Sequence, residues 1–317
     1  MKKIRVGVVG VGYLGKFHAE KYSQMSTVDL VGVVDTNPSK AQEIANQVDA
    51  SAFTRYDQLF GNVDAVSIAV PTPMHYAIGH DFLNHDVDVL IEKPMTTSIA
   101  EADQLIETAD ARGLILQVGH LERFNPAAVA LDGIITRPLF IEAHRLSLYK
   151  DRNIDVSVVL DLMIHDIDLI LNFVQAEVES IHAAGAPVIC EHVDIANVRL
   201  EFDNGCVANV TASRISAKNQ RKIRIFQRDT YISVDFANHE IVVIGQSENA
   251  RDPLIPGMDI KQLSFSKADA LEEELAAFIA AVSSRQTPQV SGGAGRRALI
   301  IALDIMEQIE QRLNRFK

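Results

Sequence analysis

Short apolar runs alternate with helical segments through the first 120 residues, and this alternation restricts the fold more than any other feature of the chain. Runs such as "VDLVGVV" at 28–34 and "DAVSIAV" at 64–70 are apolar almost throughout rather than at every second residue. A continuous apolar run is typical of a strand in a parallel sheet that is covered on both faces. The sequence therefore predicts an α/β fold whose first domain, residues 1–121, contains a doubly wound parallel sheet.

The pattern changes after residue 121. The segment "LFIEAHRLSLY" at 139–149 alternates apolar and polar residues, and six further short strand-like runs follow between 192 and 265. A helix is predicted over 157–174, and two amphipathic helices close the chain. These features predict a second, α+β domain over 122–317 with a largely antiparallel open sheet. The last helix, at 294–315, can pack back on the first domain.

Size and charge limit the classes of function. With 317 residues the chain exceeds the usual size of a single core, so two domains are expected. A net charge of -12 argues against binding to nucleic acid, and no run approaches the about 18 apolar residues of a membrane span. Cys190 and Cys206 form no disulfide framework, and Cys190 with His192 lacks further metal ligands. We therefore expect a cytoplasmic protein that binds a small molecule and no metal.

The glycines of "GVVGVGYLGKFHAEKY" form the first functional motif. Gly10, Gly12 and Gly15 make the pattern G-x-G-x-x-G directly after a strand and at the start of a helix. The first glycine permits a tight turn, the second lets a pyrophosphate approach the backbone, and the third lets the helix pack on the strand. Phosphates are favoured at such a helix N-terminus. The motif in this position predicts a dinucleotide-binding Rossmann domain.

An acidic residue at the end of the second strand indicates which dinucleotide is bound. Asp35 follows Gly15 by 20 positions, where a carboxylate accepts hydrogen bonds from the adenosine ribose hydroxyls. A carboxylate there repels a 2′-phosphate, and no arginine directly follows, because the next residues are "TNP". The sequence therefore favours NAD over NADP.

The helical segment "DLMIHDIDLIL" at 161–171 combines ionisable and apolar side chains. At about 100° per residue, Asp161, His165, Asp168 and Asn172 share about a 60° arc of one helix face, while most other positions are apolar. Such a narrow polar stripe is expected of a helix that lines a cleft. The alternative is a structural histidine with aspartates on the helix surface.

Further motifs carry a resemblance to a known family. They are "VPTPMH" at 70–75, "EKP" at 92–94, "DLMIH" at 161–165 and the closing "SGGAGRRALIIALDI". Together with the glycine fingerprint, they make the chain resemble the Gfo/Idh/MocA family of nicotinamide-dependent sugar and polyol oxidoreductases over nearly its whole length. The resemblance implies that Lys93, Asp161 and His165 are catalytic.

The chemistry of these side chains agrees with that implication. Oxidation of a secondary alcohol needs a base for the hydroxyl proton, and the histidine side chain, whose unperturbed pKa is near neutral, suits His165 to that role. Lys93 ends a parallel strand, where open α/β sheets bind ligands, and its ammonium can hydrogen-bond the reacting oxygen. Asp161 would hold the substrate or orient the imidazole. The family also implies a cis peptide bond between Lys93 and Pro94.

The same resemblance extends the cofactor site beyond the glycine motif. Thr72 and His75 would flank the nicotinamide ribose, although His75 serves equally well as a helix N-terminal residue. The predicted cofactor-binding residues are Gly10, Gly12, Tyr13, Leu14, Gly15, Asp35, Thr36, Val70, Thr72, His75, Glu92 and Lys93.

The segments "GHLERFNPA" at 119–127 and "DLMIHDIDLIL" are similar to a subgroup of the family that oxidises carbon 3 of UDP-N-acetylglucosamine. Such a substrate carries a diphosphate, for which arginine is the suited partner. Six basic side chains occupy 214–228, either as a diphosphate site or as a solvated surface. The predicted substrate-binding residues are Lys93, Arg123, Asn125, Asp161, His165 and Arg214.

Other functions remain open at this point. The substrate could be a free polyol or sugar such as an inositol, the chain could be a non-catalytic NAD-binding sugar sensor, or it could reduce a non-sugar carbonyl. An open antiparallel sheet usually finds a partner, so a homodimer or homotetramer is expected.

Overall fold

The computed structural model describes residues 3–149, 156–246, 257–266 and 268–315 of the chain. The chain divides into two compact units. The first unit comprises the residues up to Leu121 together with Asp269–Leu299, and the second comprises Glu122–Ala268 together with Ile300–Lys317. The sequence predicts domains at 1–121 and 122–317 that fold independently, and these boundaries stay a prediction.

The first unit is built on a six-stranded sheet. Its strands are β1 Ile4–Val9, β2 Val28–Val34, β3 Ser51–Phe53, β4 Ala65–Ile68, β5 Asp88–Glu92 and β6 Leu116–Gly119. They are arranged in the order β3-β2-β1-β4-β5-β6, and every neighbouring pair is parallel. The order reverses between β1 and β4, and ligands of such sheets bind at the carboxyl ends of the strands at this point. The predicted doubly wound parallel sheet is confirmed.

Eight α-helices lie in the described part of the chain. They are α1 Gly15–Gln24, α2 Pro38–Val48, α3 His75–Asn84, α4 Ile99–Arg112, α5 Pro126–Val129, α6 Ile164–Val174, α7 Ala270–Ser284 and α8 Gly292–Leu313. Local sequence explains several of their starts. The side chain of Asn37 accepts hydrogen bonds from the first turn of α2, and Ser98 with Glu101 forms a capping box on α4. Among the described helices, none has a stretch that is long and apolar enough to cross a bilayer.

The second unit contains an eight-stranded sheet. Its strands are β7 Pro138–Leu146, β8 Val178–Ala186, β9 Ile195–Phe202, β10 Val207–Ser213, β11 Gln220–Gln227, β12 Thr230–Asp235, β13 Glu240–Gln246 and β14 Met258–Ser264. The order is β14-β13-β12-β11-β7-β10-β9-β8, and only the β7–β10 pair is parallel. On β9, Ala196, Val198 and Leu200 are buried while the residues between them are exposed, so one face of the sheet forms the core. The predicted, largely antiparallel open sheet is confirmed.

Candidate active site and cofactor cradle

In the glycine loop after β1, main-chain atoms pack directly against other main-chain atoms. Gly10 has a φ of +85°, and a Cβ on it would lie 2.6 Å from the carbonyl oxygen of Ala69. A Cβ on Gly15 would lie 1.8 Å from the carbonyl oxygen of Gly10. Neither position can hold a side chain without moving the main chain, which is why the loop needs glycine at both.

Gly12 differs from the other two glycines. Among the residues that the structure describes, a Cβ built on Gly12 would meet only the Nζ of Lys40, at 3.8 Å. The space above Gly12 is therefore open, as required where a pyrophosphate approaches the main chain at the start of α1. Of the flanking residues, Tyr13 is exposed and packs edge-on against Phe17, and Leu14 is half-buried.

Asp35 lies at the carboxyl end of β2, beside this loop. Its Oδ2 accepts a hydrogen bond from the Val11 amide at 3.3 Å, and its Oδ1 accepts one from the Asn37 amide at 3.0 Å. The Nζ of Lys40 lies 3.9 Å from Oδ2, and Thr36 is exposed. A fixed carboxylate next to an open glycine backbone fits the ribose and pyrophosphate of NAD, and it disfavours a 2′-phosphate.

Lys93 follows the last residue of β5. The Lys93–Pro94 peptide bond is cis, as the family resemblance implies. Lys93 is half-buried, and its backbone N–H donates to the Glu92 carboxylate at 3.3 Å. β1, β2 and β5 are parallel strands of one sheet, so the glycine loop, Asp35 and Lys93 all lie at the same edge of that sheet. Val70 and Thr72, after β4, are half-buried on this edge.

His75 is held on both sides by backbone carbonyls. Its Nδ1 lies 2.9 Å from the Pro94 oxygen and its Nε2 lies 2.8 Å from the Val70 oxygen, and the residue is buried. Burial lowers the pKa of His75 below its ordinary value. The part in cofactor binding expected for His75 stays a prediction, and the ring already links the loops after β4 and β5.

In the second unit, Asp161 and His165 lie on one helical segment that is not uniform. Val159–Met163 is π-helical, and α6 begins at Ile164. A uniform spacing of 100° therefore does not apply between Asp161 and His165, contrary to the regular helix predicted over 157–174. Both side chains are half-buried. A single-turn π-helix inside an α-helix is often found at functional sites.

The two aspartates that follow His165 are buried in ion pairs. Asp168 accepts two hydrogen bonds from Arg123, at 2.6 and 2.8 Å. Asp166 accepts two from Arg145 of β7, both at 2.8 Å, and Arg145 also donates to Glu122 at 2.8 Å. Asp168 is thus not part of a stripe open to solvent, whereas Asn172 is exposed.

These pairs fix α6 to β7 and to the turn at Leu121–Phe124. Burial works against the charges, but the neighbouring carboxylates still raise the pKa of Arg145, and Arg145 keeps the pKa of Glu122 below its usual range. Arg145 was not among the residues predicted from the sequence. The signal was present, because position 145 lies on the inward, apolar phase of "LFIEAHRLSLY", where a charge needs a partner.

The other predicted substrate residues also have partners within the second unit. Asn125 accepts from the Ala127 amide at the start of α5 and donates to the Phe236 oxygen at 3.3 Å. Arg214 is buried, donates to the Val156 oxygen, and has its Nε 3.8 Å from Asp194. Binding of a diphosphate by Arg123 and Arg214 stays a prediction, and each guanidinium already faces a carboxylate.

The remaining basic residues of 214–228 are mostly at the surface. Arg221 contacts Glu122 at 3.3 Å, Arg224 contacts Glu142 at 2.5 Å, and Arg228 contacts Asp229 at 3.6 Å. Among the residues that the structure describes, no group of three or more His, Cys, Asp or Glu side chains is arranged to hold a metal ion.

Comparison with known proteins agrees with this geometry. A family model described as "Oxidoreductase family, NAD-binding Rossmann fold" matches residues 4–120, and the "GFO/IDH/MocA C-terminal domain" matches residues 133–233. The UDP-N-acetylglucosamine 3-dehydrogenase of Acidithiobacillus ferrooxidans is 39% identical over 99% of this chain and 100% of its own length. The myo-inositol 2-dehydrogenase of Thermotoga maritima is 25% identical over 98% of this chain and 97% of its own.

A solved structure of the Acidithiobacillus enzyme superposes with a TM-score of 0.93, at 39% identity, covering 98% of this chain and 99% of that one. Residues 4–120 and 133–233 are thus matched by models of one family, and the cofactor cradle has the glycines and the carboxylate that NAD requires. The chain belongs to the Gfo/Idh/MocA family of oxidoreductases.

Proposed function

We propose that this protein is an NAD-dependent dehydrogenase that oxidises a secondary hydroxyl group of a nucleotide sugar. One observation carries the proposal: the open glycine loop, Asp35 and Lys93 share the carboxyl edge of one parallel sheet. This arrangement brings a dinucleotide site and a candidate hydrogen-bond donor for the reacting oxygen to the same edge. Bound NAD supplies the acceptor for the hydride that leaves the sugar carbon.

The chain itself supplies the proton chemistry. The ammonium of Lys93 donates a hydrogen bond to the reacting oxygen and lowers the pKa of the hydroxyl, since a nearby positive charge favours the alkoxide. An imidazole nitrogen of His165 accepts the hydroxyl proton. Asp161, in the π-helical turn just before His165, orients the imidazole or holds a neighbouring hydroxyl of the substrate.

The substrate is proposed to be a UDP-N-acetylhexosamine, oxidised at carbon 3. Support comes from the full-length relative at 39% identity, whose name specifies UDP-N-acetylglucosamine and position 3. A free polyol such as an inositol is the second candidate, supported by the relative at 25% identity.

Turnover with a panel of substrates tests the proposal. Purified protein is mixed with NAD and UDP-N-acetylglucosamine, UDP-glucose, free N-acetylglucosamine or myo-inositol, and NADH formation is followed by absorbance. We expect turnover with the UDP-N-acetyl sugar and a 3-keto product by NMR. Preference for myo-inositol would replace the first candidate by the second, and NADH binding without turnover of any alcohol would favour a sensor.

Two variants test the proton roles. Lys93→Ala and His165→Ala should each lower kcat by at least about 100-fold, because general acid–base catalysis contributes about that much or more. Their affinity for NADH, measured by the fluorescence of the bound cofactor, should stay within a few-fold of the wild type. Lys261→Ala and His182→Ala are matched controls, since both side chains are exposed, and they should leave kcat unchanged.

We also propose that the protein works as a homodimer or homotetramer in the cytoplasm. Phe140, Phe226 and Tyr231 form an aromatic group on the outer face of the second sheet, with ring centroids 5.7 and 5.1 Å apart. Such a half-buried apolar surface fits a second copy of the chain. The free cysteines Cys190 and Cys206 suit a reducing compartment. Light scattering should report two or four chains, and Phe226→Arg should lower that number.

A further inference from the structure

Two buried histidines flank the segment that carries Lys93. His18 lies on the inner face of α1 and is fully buried, and His75 lies at the start of α3 with 1% of its surface exposed. Neither belongs to the proton chemistry proposed above. Burying an imidazole away from water is costly unless it has polar partners, so the groups that each ring faces indicate what the ring does.

His18 faces the carboxylate of Glu92. Its Nε2 lies 3.2 Å from Glu92 Oε1, and the other carboxylate oxygen, Oε2, accepts the backbone N–H of Lys93 at 3.3 Å. Glu92 therefore links the imidazole on one side to the main chain of Lys93 on the other. The Nε2–Oε1 contact is within ion-pair distance but lacks hydrogen-bond geometry, so the Glu92 carboxylate is hydrogen-bonded at Oε2 and is only contacted by the ring at Oε1.

The neighbouring strand β6 leaves room for the Glu92 carboxylate. Gly119 of β6 lies beside Glu92, and a Cβ on Gly119 would be 3.0 Å from each of the three carboxyl atoms. A side chain at position 119 would push against the carboxylate. The absence of a side chain at Gly119 therefore leaves the space that the Glu92 carboxylate occupies.

His75 holds the next residue of the same segment. Its Nδ1 lies 2.9 Å from the oxygen of Pro94, and its Nε2 lies 2.8 Å from the oxygen of Val70. The peptide segment Lys93–Pro94 is therefore contacted by one buried ring through Glu92 and by another directly. His18, Glu92 and His75 are all buried beside this segment.

We propose that His18, acting through Glu92, is a positioning residue that fixes the main chain of Lys93 and with it the direction of the Lys93 ammonium. The proposal rests on the proposed function, in which that ammonium hydrogen-bonds the reacting oxygen. His18 itself touches no reacting atom. A misplacement of a catalytic group by about 1 Å can cost about 100-fold in rate, so the effect of His18 belongs in kcat.

Two substitutions of His18 distinguish a loss of positioning from a change in side-chain size. His18→Gln can place an amide nitrogen close to where Nε2 lies, whereas the shorter His18→Asn cannot reach Glu92. We expect His18→Asn to lower kcat by about 10- to 100-fold with the KM for NAD within a few-fold of the wild type. His18→Gln should recover most of that loss.

Tyr22→Phe is the matched control. Tyr22 lies one turn further along α1, is fully buried, and its hydroxyl contacts Ser67 at 2.9 Å on β4 rather than the Lys93 segment. It tests the loss of a buried polar contact on the same helix face, so its kcat should remain at the wild-type value. Equal decreases in kcat for His18→Asn and Tyr22→Phe would overturn the proposal, as would an unchanged kcat in His18→Asn.

A second readout does not need turnover. Lysines are acetylated with a limiting amount of acetic anhydride, and the rate at Lys93 relative to the other lysines is measured by mass spectrometry. The relative rate at Lys93 should change several-fold in His18→Asn and not in Tyr22→Phe, and an unchanged rate would refute the positioning role. Should His18→Asn not fold, Glu92→Gln replaces it in the acetylation experiment, with the same expected change at Lys93.

The two readouts also separate this proposal from the proposed function. If the wild type turns over no sugar or polyol, the proposed function fails, and the acetylation rate at Lys93 still decides whether His18 positions that residue. If the wild type turns over its substrate and neither readout responds to His18→Asn, only the positioning role fails.

Discussion

The glycine loop of the first unit and the helix of the second unit that carries His165 are built in opposite ways. In the loop, function depends on missing side chains, because Gly10 and Gly15 let main chain approach main chain and Gly12 leaves space. Around α6, structure depends on large charged side chains that are buried in pairs, such as Asp166 with Arg145. At Gly10 and Gly15 an added side chain would displace the main chain, whereas around α6 the loss of one charge would leave its partner buried and unpaired.

The largest effect is expected from an added methyl group. Gly15→Ala would place a Cβ 1.8 Å from the Gly10 oxygen, so the loop and α1 must separate. We expect loss of measurable NADH binding and a decrease of more than about 4 kcal/mol in the free energy of unfolding, which is in the range of severe core mutations. Urea unfolding and the fluorescence of bound NADH measure the two quantities.

Gly12→Ala sharpens the same test. In the described part of the chain its Cβ would meet only Lys40 Nζ, at 3.8 Å, so the free energy of unfolding should change by less than about 1 kcal/mol. The affinity for NADH should still fall, because the methyl group occupies space above the loop. A Gly12→Ala protein that binds NADH as the wild type does would mean that the pyrophosphate does not lie there.

How far the sequence predicts each region follows from this contrast. The loop, Asp35 and Lys93 are determined by neighbours along the chain and by strand ends, so a local motif predicts them. The pairs Arg123–Asp168 and Arg145–Asp166 join residues 45 and 21 positions apart, and no local pattern assigns partners at that distance. For the same reason the sequence places Asp168 with His165 on a narrow polar stripe that lines a cleft, whereas its carboxylate is buried in an ion pair with Arg123.

Elements that lack a strong pattern were missed for a related reason. The three-residue strand Ser51–Phe53 and the strand Val178–Ala186, "VESIHAAGA", show neither a continuous apolar run nor a clean alternation. Their pairing with β2 and β9 stabilises them, so tertiary contacts rather than propensity decide their structure. The π-helical turn before His165 likewise has no signature in the sequence.

Removing a buried charge is expected to have the next largest effect. Arg145→Met leaves Asp166 buried without its cation and Glu122 with Arg221 alone, which should lower the free energy of unfolding by about 3–5 kcal/mol. Arg199→Met is the matched control, since Arg199 pairs with Glu201 at 2.7 Å but is exposed, and it should cost less than about 1 kcal/mol. Similar losses in the two variants, measured by urea unfolding, would contradict the importance of burial.

A smaller effect with a defined pH dependence is expected at Asp194. Burial opposes the charge of its carboxylate, but the backbone N–H groups of Ile189, Cys190 and Val188 donate to it and lower the pKa of Asp194 from 3.8 to about 2. A lowered pKa in the folded state stabilises the fold at pH values above about 4, and this contribution is lost as the pH falls towards 2.

Asp194→Asn should therefore cost about 2 kcal/mol at neutral pH. The difference from the wild type should shrink steadily between about pH 4 and 2, where the wild-type carboxylate becomes protonated. Urea unfolding of both proteins across this range checks the sign. A difference that is the same at pH 7 and pH 3 would show that the amide fails for steric reasons and that the charge contributes nothing.

The smallest effect is expected from Lys40, whose Nζ lies near the open backbone of Gly12. Lys40 is about half exposed, with Nζ 3.9 Å from Asp35, so the contact stabilises the fold by less than about 1 kcal/mol. Its ammonium adds positive charge beside the space for an anion, and Lys40→Ala should weaken NADH binding by about fivefold at low ionic strength, equivalent to about 1 kcal/mol. The loss should decrease in about 1 M salt, where charges are screened within about 3 Å. If Lys40→Ala lowered the affinity for NADH much more than fivefold, NADH binding would depend strongly on a charged side chain. The glycine loop would then differ less from the charged pairs around α6 than we expect.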